Sequence, residues 1–198
     1  MKIHIDQVKL YRGDFQITQT VDLLVSNGEA LVIRGDNGVG KTTLLRAIAG
    51  LFSSYSGHIS IIQSEDQLVK YIYNQVNELT HYIGHKNAFK SELTVKENLE
   101  FWQNFVMQCE IEGKNAASLK GMAEKDALHA FGVGHVYDLP FGYLSEGQKR
   151  RVALSRLLLV HRPIWLLDEP NTALDQKSSE FCNQITYSLL DEKCKSPW

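Results

Sequence analysis

The stretch Gly-Asp-Asn-Gly-Val-Gly-Lys-Thr-Thr at residues 35–43 decides the fold of this chain. The apolar run Ala-Leu-Val-Ile precedes it at residues 30–33, and Leu-Leu-Arg-Ala-Ile-Ala-Gly follows it at residues 44–50. We interpret these segments as a buried strand, a glycine-rich loop and a helix that ends at a glycine. This is the structural context in which a phosphate-binding loop functions.

The residue types in this loop suit the binding of a nucleoside triphosphate. The glycines let backbone N–H groups turn toward phosphate oxygens, where a Cβ atom would obstruct them. Lys41 brings a positive charge to the β- and γ-phosphates, and the Thr42 hydroxyl can ligate Mg²⁺. The alternative, a glycine turn with an exposed lysine, does not account for the flanking strand and helix. The nucleotide-binding residues predicted from this stretch are Gly35, Asn37, Gly38, Gly40, Lys41, Thr42 and Thr43.

The composition is that of an ordinary globular protein and excludes several other classes. The 198 residues fit a single domain with a real core, at 43% hydrophobic and 22% charged residues. Lys and Arg number 21 against 23 Asp and Glu, so no basic field exists and a nucleic-acid partner is not expected. The apolar runs are too short to cross a bilayer, and residues 1–6 predict a first strand rather than a signal peptide. Cys109, Cys182 and Cys194 are predicted to be reduced thiols.

The N-terminal quarter of the chain predicts a small sheet. Alternating apolar residues predict strands at residues 2–10 and 15–25, joined by a turn at residues 12–14, and a further strand at residues 58–62. Tyr11 lies just before that turn. Its ring could stack on the adenine of a bound nucleotide or pack on the sheet, and the sequence leaves both alternatives open.

A helical segment interrupts the alternation of strands and helices. A strand is expected to end near residue 84, and helices are then predicted at residues 94–111, with Thr94 as N-cap, and at residues 116–131, ending at Gly132. We therefore predict one domain over residues 1–198. Its α/β core comprises residues 1–90 and 141–198, and a helical subdomain is inserted at about residues 91–140.

Two acidic residues follow the next predicted strand. Ser145 is a predicted N-cap of a helix with a strong apolar face, and residues 164–167 then read as a buried strand that ends at Asp168 and Glu169. The carboxyl ends of parallel strands are the usual position of ligands in α/β folds. Asp168 is therefore a predicted Mg²⁺ ligand, and Glu169 could orient or deprotonate a water that attacks a γ-phosphate.

These motifs resemble those of ATP-binding cassette (ABC) ATPases. Residues 35–42 are similar to the family's Walker A motif, residues 164–169 to Walker B with its catalytic glutamate, Leu-Ser-Glu-Gly-Gln at residues 144–148 to the signature, and residues 172–175 to the D-loop. The resemblance implies an α/β fold. In it a P-loop NTPase core of ABC type carries an N-terminal antiparallel β subdomain and an inserted helical subdomain.

The resemblance also implies an assembly and a mechanism. Two cassettes would pair as a homodimer or as two different chains, head to tail, with ATP and Mg²⁺ at their interface. The residues of the second cassette that would contact the nucleotide are Ser145, Gly147, Gln148 and Asp175. The basic residues at 149–151 could support the anion site there or form a solvated charged face, and both alternatives remain open.

The sequence departs from the family's pattern in two places. His85 occupies the position of a glutamine that the family uses beside the nucleotide, and its protonation would make activity sensitive to pH. The family also has a further strand with a switch histidine after Walker B, whereas no histidine follows His161 in this sequence. The resemblance therefore predicts ATP binding with Lys41, His85 and Glu169 as catalytic residues. It leaves turnover by this chain alone open.

Residues 83–99 are most similar to the ATP-binding subunit of the cytochrome c maturation haem exporter of bacteria. This similarity implies a peripheral protein on the cytoplasmic face of the bacterial inner membrane, bound to integral membrane subunits. Two alternatives are the ATPase subunit of another ABC transporter, and a soluble or degenerate ABC protein that binds ATP in a regulatory or structural role.

Overall fold

The computed structural model describes residues 1–62, 79–107, 120–172, 174, 176 and 179–180. The chain forms two compact units, Met1–Asn77 with Thr186–Trp198 and Glu78–Ile185, and each is considered by itself. The division into an α/β core and a helical subdomain stays a prediction. The predicted features that lie outside the described residues are the three cysteines, Asp175, the helix end near residue 111, the helix start at residue 116 and the C-terminal tail.

The first unit contains the predicted N-terminal antiparallel sheet. Its central strand is β1 (Lys2–Arg12), which pairs antiparallel with β2 (Phe15–Gln16), β3 (Val21–Ser26) and β4 (Tyr55–Ile62). The turn between β1 and β2 contains Gly13 at φ 59°, as its sequence predicted. The single strand predicted at residues 15–25 is two strands in the structure, and β4 begins three residues earlier than predicted.

A β-bulge interrupts β1 at Gln7. Its backbone has φ 50°, and the register with both neighbouring strands shifts around it. The Asp22 carboxylate accepts hydrogen bonds from the backbone N of Gln7 at 2.8 Å and from its Nε2 at 2.6 Å. Gly57 of β4 lies against the same bend at φ 87°. The bulge is therefore fixed by a side chain on one side and by a glycine on the other.

The apolar run at residues 30–33 is not a strand, and the prediction of a buried strand there was wrong. Leu31 is 51% exposed and Val32 is 65% exposed. A strand forms only with a hydrogen-bonded neighbour. Within the part of the chain that the structure describes, neither sheet includes this run. The predicted helix after the glycine loop is present as α1 (Lys41–Ile48), which buries Leu44, Ala47 and Ile48.

The second unit contains a two-stranded parallel sheet whose strands are widely separated in sequence. β5 (Thr80–Ile83) pairs with β6 (Ile164–Leu167) in register from Thr80 opposite Ile164 to Ile83 opposite Leu167. The pairing continues one step further, because the Asp168 N–H donates to the carbonyl of Ile83 at 2.8 Å. The two strands therefore end side by side, His85 following shortly after β5 and Asp168 and Glu169 directly after β6.

Among its described residues, the second unit also contains the helices α2 (Val95–Met107), α3 (Glu124–Ala130) and α4 (Glu146–Ser155). Thr94 caps α2 as predicted. Its hydroxyl oxygen accepts from the Glu97 N–H at 3.2 Å, and its backbone N–H donates to the Glu97 carboxylate at 2.8 Å. In the described ranges, no helix has the length and apolar composition that a membrane crossing requires.

The segment before α3 was predicted as helix and is extended instead. The N–H of Gly121 donates to Leu159 O at 3.0 Å, and the N–H of Met122 donates to Leu158 O at 2.7 Å. A Cβ atom at residue 121 would overlap the Leu158 carbonyl, so only glycine permits this approach. Pairing with a distant segment has overridden the local helical pattern. The end of α3 agrees with the prediction, with Gly132 at φ 66°.

Candidate functional site

The glycine loop of the first unit has the backbone that its sequence predicts. Gly38 and Gly40 have φ 87° and 98°, a left-handed conformation that favours glycine, and Gly40 is the N-cap of α1. The Lys41 ammonium folds back over the loop. Its Nζ donates to the carbonyl oxygens of Gly35 at 2.7 Å and Asp36 at 2.8 Å. The loop and its lysine therefore form one hydrogen-bonded structure.

The residues of this loop fit a bound phosphate. A Cβ atom on Gly40 would come within 2.7 Å of Thr18 Cγ2, so no larger residue could replace it without moving the wall behind the loop. Gly40 has no side chain to accept from the first N–H groups of α1, and helix N-termini of this kind attract anions. Thr42 and Thr43 lie in the first turn of α1, and Asn37 lies in the exposed loop.

Tyr11 is half-buried at the end of β1, in the same unit as the glycine loop. Its hydroxyl lies 3.4 Å from Ser56 Oγ, and its backbone N–H donates to the Ser54 carbonyl at 2.9 Å. Its hydroxyl and backbone are therefore attached to the sheet. Stacking on an adenine ring stays a prediction.

In the second unit the predicted acidic residues follow β6 directly. Asp168 is only 4% exposed, and its Oδ2 accepts from the Tyr82 hydroxyl at 3.4 Å. Glu169 is the next residue and is exposed, at φ 50°. A glutamate in the left-handed region is uncommon and costs roughly 1–3 kcal/mol, and such strain clusters at functional sites. The two carboxylates thus have different environments, one buried and one in contact with solvent.

The structure brings His85 to Glu169. The Nδ1 of His85 lies 4.0 Å from Glu169 Oε2, and both side chains are more than half exposed. The Thr172 hydroxyl donates to the same carboxylate oxygen at 3.3 Å. Two residues that are 84 positions apart, one predicted from a family position and the other from a strand end, therefore share one surface.

The signature segment forms the start of α4 and has a complete capping box. Ser145 Oγ accepts from the Gln148 N–H at 3.3 Å, and the Ser145 N–H donates to Gln148 Oε1 at 2.9 Å. The predicted N-cap at Ser145 is therefore present. Glu146 stands where the family's signature has its first glycine, and Lys149 Nζ donates to its carboxylate at 2.8 Å. Gly147 lies between these residues in the first turn.

For residues 149–151 the sequence left open an anion site or a solvated charged face, and for Arg150 the solvated face is wrong. Arg150 is 4% exposed, and its guanidinium donates to carbonyl-type oxygens of two neighbouring loops. Because basic residues rarely lie buried, nothing in the sequence separated Arg150 from its neighbours. The acceptors are the backbone carbonyls of Gly84, Asp168, Glu169 and Pro170 and the side-chain amide oxygen of Asn87.

The loop that carries His85 is held from α2 as well. Trp102 Nε1 donates to Ala88 O at 3.0 Å, and Asn98 accepts from the Lys90 N–H at 2.9 Å. Arg156 lies over the Trp102 ring, 4.3 Å from its centroid. Burial and, to a lesser degree, the positive charge of Arg150 lower the pKa of Arg156 to about 10. Two helices therefore fix this loop.

The chain belongs to the ABC transporter family. The family model described as "ABC transporter" matches residues 18–172, which include the glycine loop, the signature segment and both acidic residues. The chain is therefore an ABC ATPase that binds ATP.

Particular relatives are similar over most of the chain. This chain is 43% identical to the cytochrome c biogenesis ATP-binding export protein CcmA of Rhizobium johnstonii over 181 residues. The match covers 91% of this chain and 79% of that protein. The chain is 38% identical to the protein of the same name from Rhizobium meliloti, covering 96% and 86%. An ABC transporter ATP-binding protein of Pyrococcus furiosus shares the fold, with a TM-score of 0.78 at 23% identity, covering 98% of this chain and 88% of that one.

Proposed function

We propose that this chain is the ATP-hydrolysing subunit of a membrane export complex in c-type cytochrome biogenesis, with haem as the cargo. The observation that carries the proposal is the 43% identity with a cytochrome c biogenesis export protein over 91% of the chain. The similarity of residues 83–99 to the haem-exporter subfamily supports the assignment of haem as the cargo. Partner subunits that span the bacterial inner membrane would hold the chain at the cytoplasmic face.

In the first unit, the glycine loop would bind the phosphates of ATP. Lys41 would keep its two loop carbonyls and donate its third N–H to a phosphate oxygen, and the N–H groups that begin α1 would face the same anion. Thr42 offers a hydroxyl ligand to Mg²⁺. When bound, Mg²⁺ neutralises charge that develops on the phosphate oxygens. Tyr11 would stack against the base.

In the second unit, the two carboxylates would have separate roles. Asp168 is nearly buried, and its carboxylate is a candidate Mg²⁺ ligand, since Mg²⁺ is commonly held through one or two carboxylates. Glu169 is exposed and strained, and it would accept the proton of the attacking water as general base. His85 would hydrogen-bond the same water or its neighbour. This assignment agrees with the different exposure of the two carboxylates.

A second cassette would complete the ATPase. Ser145, Gly147 and Gln148 begin α4, where backbone N–H groups favour an anion, and they would contact a nucleotide held by the partner copy. Asp175 would lie at the same interface. Homodimers and pairs with a different cassette are both compatible with this chemistry.

The proposal is tested by isolating the chain from detergent-solubilised source membranes with ATP and Mg²⁺ and identifying the copurified proteins by mass spectrometry. Integral membrane proteins of cytochrome c maturation are expected. Recovery of a different permease would refute the pathway and keep the ATPase. Ribosomal or DNA-bound partners would refute the transport role.

A paired assay on the isolated complex tests the assignment of the base. Glu169→Gln should bind ATP with wild-type affinity and lose hydrolysis by about 100-fold or more. If the wild-type complex also fails to hydrolyse ATP, the hydrolytic role of this subunit is contradicted.

A further inference from the structure

We propose that Arg150 is a positioning residue for ATP hydrolysis. It would hold the backbone of the Glu169 turn and of the His85 loop in one arrangement that is set from the signature helix α4. The inference rests on the proposed role of Glu169 as general base. The test below is chosen so that it can fail independently of that role.

The contacts of Arg150 converge on these two segments. Its Nη2 donates to the backbone oxygens of Asp168 at 3.0 Å and Glu169 at 2.8 Å, and its Nε donates to Pro170 O at 3.1 Å. Its Nη1 donates to Gly84 O at 2.8 Å and Asn87 Oδ1 at 3.4 Å. A guanidinium has five N–H donors, so each of them has an acceptor here. One planar group thus joins two loops.

The location of these acceptors argues for a role beyond stability. A buried guanidinium is costly unless its donors are satisfied, so this arrangement persists only while both loops keep their positions. One acceptor is the carbonyl of Glu169 itself, the residue at φ 50°. Another belongs to Gly84, which directly precedes His85. The side chains of both candidate catalytic residues are therefore placed by backbone that Arg150 holds.

Arg150 also links these loops to the signature segment. It lies five residues after Ser145 on α4, which is about one and a half helical turns. Its neighbours do not have this role. Lys149 pairs with Glu146 within the first turn of the helix, and Arg151 Nε reaches Gly147 O at 3.5 Å. Of these three basic residues, only Arg150 would therefore transmit a shift of α4 along its axis to the carbonyls of the Glu169 turn.

The test compares Arg150→Lys with a matched control, Arg162→Lys. Arg162 is also buried, at 8% exposure, and its Nη1 donates to Thr80 O at 2.7 Å, at the opposite end of β5 from Gly84. Lysine keeps the charge at both positions but cannot span several carbonyls as the planar guanidinium does. Both variants therefore lose a buried guanidinium of the second unit, and only Arg150→Lys loses hydrogen bonds to the Glu169 turn.

The first readout is backbone hydrogen–deuterium exchange of the purified protein, which requires no turnover. Arg150→Lys is expected to raise exchange about tenfold or more at residues 84–88 and 168–172, while Arg162→Lys leaves these segments at wild-type rates. Unchanged exchange in the Arg150 variant, or the same rise in the control, would overturn the proposal. This outcome is independent of whether the wild-type protein hydrolyses ATP.

The second readout separates binding from catalysis in the complex. Arg150→Lys is expected to lower kcat by about 10- to 100-fold, because small displacements of catalytic groups are costly, while the Kd for ATP changes less than about twofold. Arg162→Lys should leave both values near wild type. An Arg150 variant with raised exchange but normal kcat would also overturn the positioning role.

Discussion

His85 Nδ1 and Glu169 Oε2 lie 4.0 Å apart, on side chains that are 70% and 53% exposed. At this exposure an ion pair would contribute little to stability, typically about 0–1 kcal/mol. The conformation of each residue is instead fixed by the loop that carries it. The loops therefore set the proximity of His85 and Glu169, and substituting either residue should change the rate of ATP hydrolysis rather than the stability of the fold.

We predict that His85→Gln retains hydrolysis within about threefold of wild type and that His85→Ala lowers kcat about tenfold or more, with ATP affinity unchanged in both. An amide can donate and accept as a neutral imidazole does, whereas a methyl group cannot. Steady-state ATPase assays on the complex provide the measurement. His58→Ala, on β4, is the control. Wild-type rates of hydrolysis in both His85 variants would show that the His85 ring takes no part.

We predict that Glu146→Gln strengthens ATP-dependent dimerisation about two- to fivefold. A carboxylate in the first turn of a helix interacts with its positive end by about 0.3–1 kcal/mol and competes there with an incoming phosphate. The ATP concentration that gives half-maximal dimer in light scattering, measured in the Glu169→Gln background, is the readout. Glu124→Gln, in the first turn of α3, should leave it unchanged. A weaker dimer in Glu146→Gln would contradict the prediction.

We predict a pH-dependent contribution to stability from the capping box of α2. Hydrogen bonds from the backbone N–H and then the hydroxyl of Thr94 lower the pKa of Glu97 below its ordinary value. As the pH falls, the carboxylate of Glu97 therefore binds a proton in the unfolded chain before it does so in the folded chain. The contribution of the capping box to stability is thus fully present above the ordinary pKa of glutamate. It is lost as pH falls through the lowered value of the folded state.

The Tm difference between wild type and Glu97→Gln should accordingly narrow between about pH 7 and about pH 3. Glu100→Gln, on the same helix but outside the box, should show less narrowing. A difference that does not vary with pH would refute this account.

We predict that Gly57→Ala destabilises the first unit by about 3 kcal/mol. Gly57 has a φ of 87°, and a Cβ atom on it would overlap the carbonyl of Gln7. Gly13→Ala is the matched control. Gly13 also has a left-handed φ of 59°, but a Cβ atom there would have no heavy atom within 4 Å, so a cost of about 1 kcal/mol is expected. Urea unfolding measures both, and equal losses would contradict the role of the bulge.

The features that the sequence predicted correctly depend on short-range chemistry. The caps at Thr94 and Ser145 follow from side chains that reach their own helix, and the ends of β5 and β6 follow from apolar runs stopped by polar residues. The family motifs lie at such boundaries. Most of the candidate site could therefore be found from the order of residues alone.

The features that the sequence did not predict depend on partners that are distant in the chain. Residues 30–33 have the composition of a buried strand, but strand formation requires a neighbour that no local pattern specifies. Gly121 pairs with a segment almost 40 residues away, and the helical pattern around it gave no sign of this. The burial of Arg150 likewise depends on carbonyls from two loops.

The hydrogen bonds from Lys41 to Gly35 and Asp36 bear on how a mutant of this lysine would be interpreted. Removing the ammonium takes away a charge and also releases the loop that it ties, which then gains conformational entropy. Lys41→Ala will therefore weaken nucleotide binding by more than the direct attraction between lysine and phosphate. Part of the affinity of this loop is preorganisation, established when the chain folds.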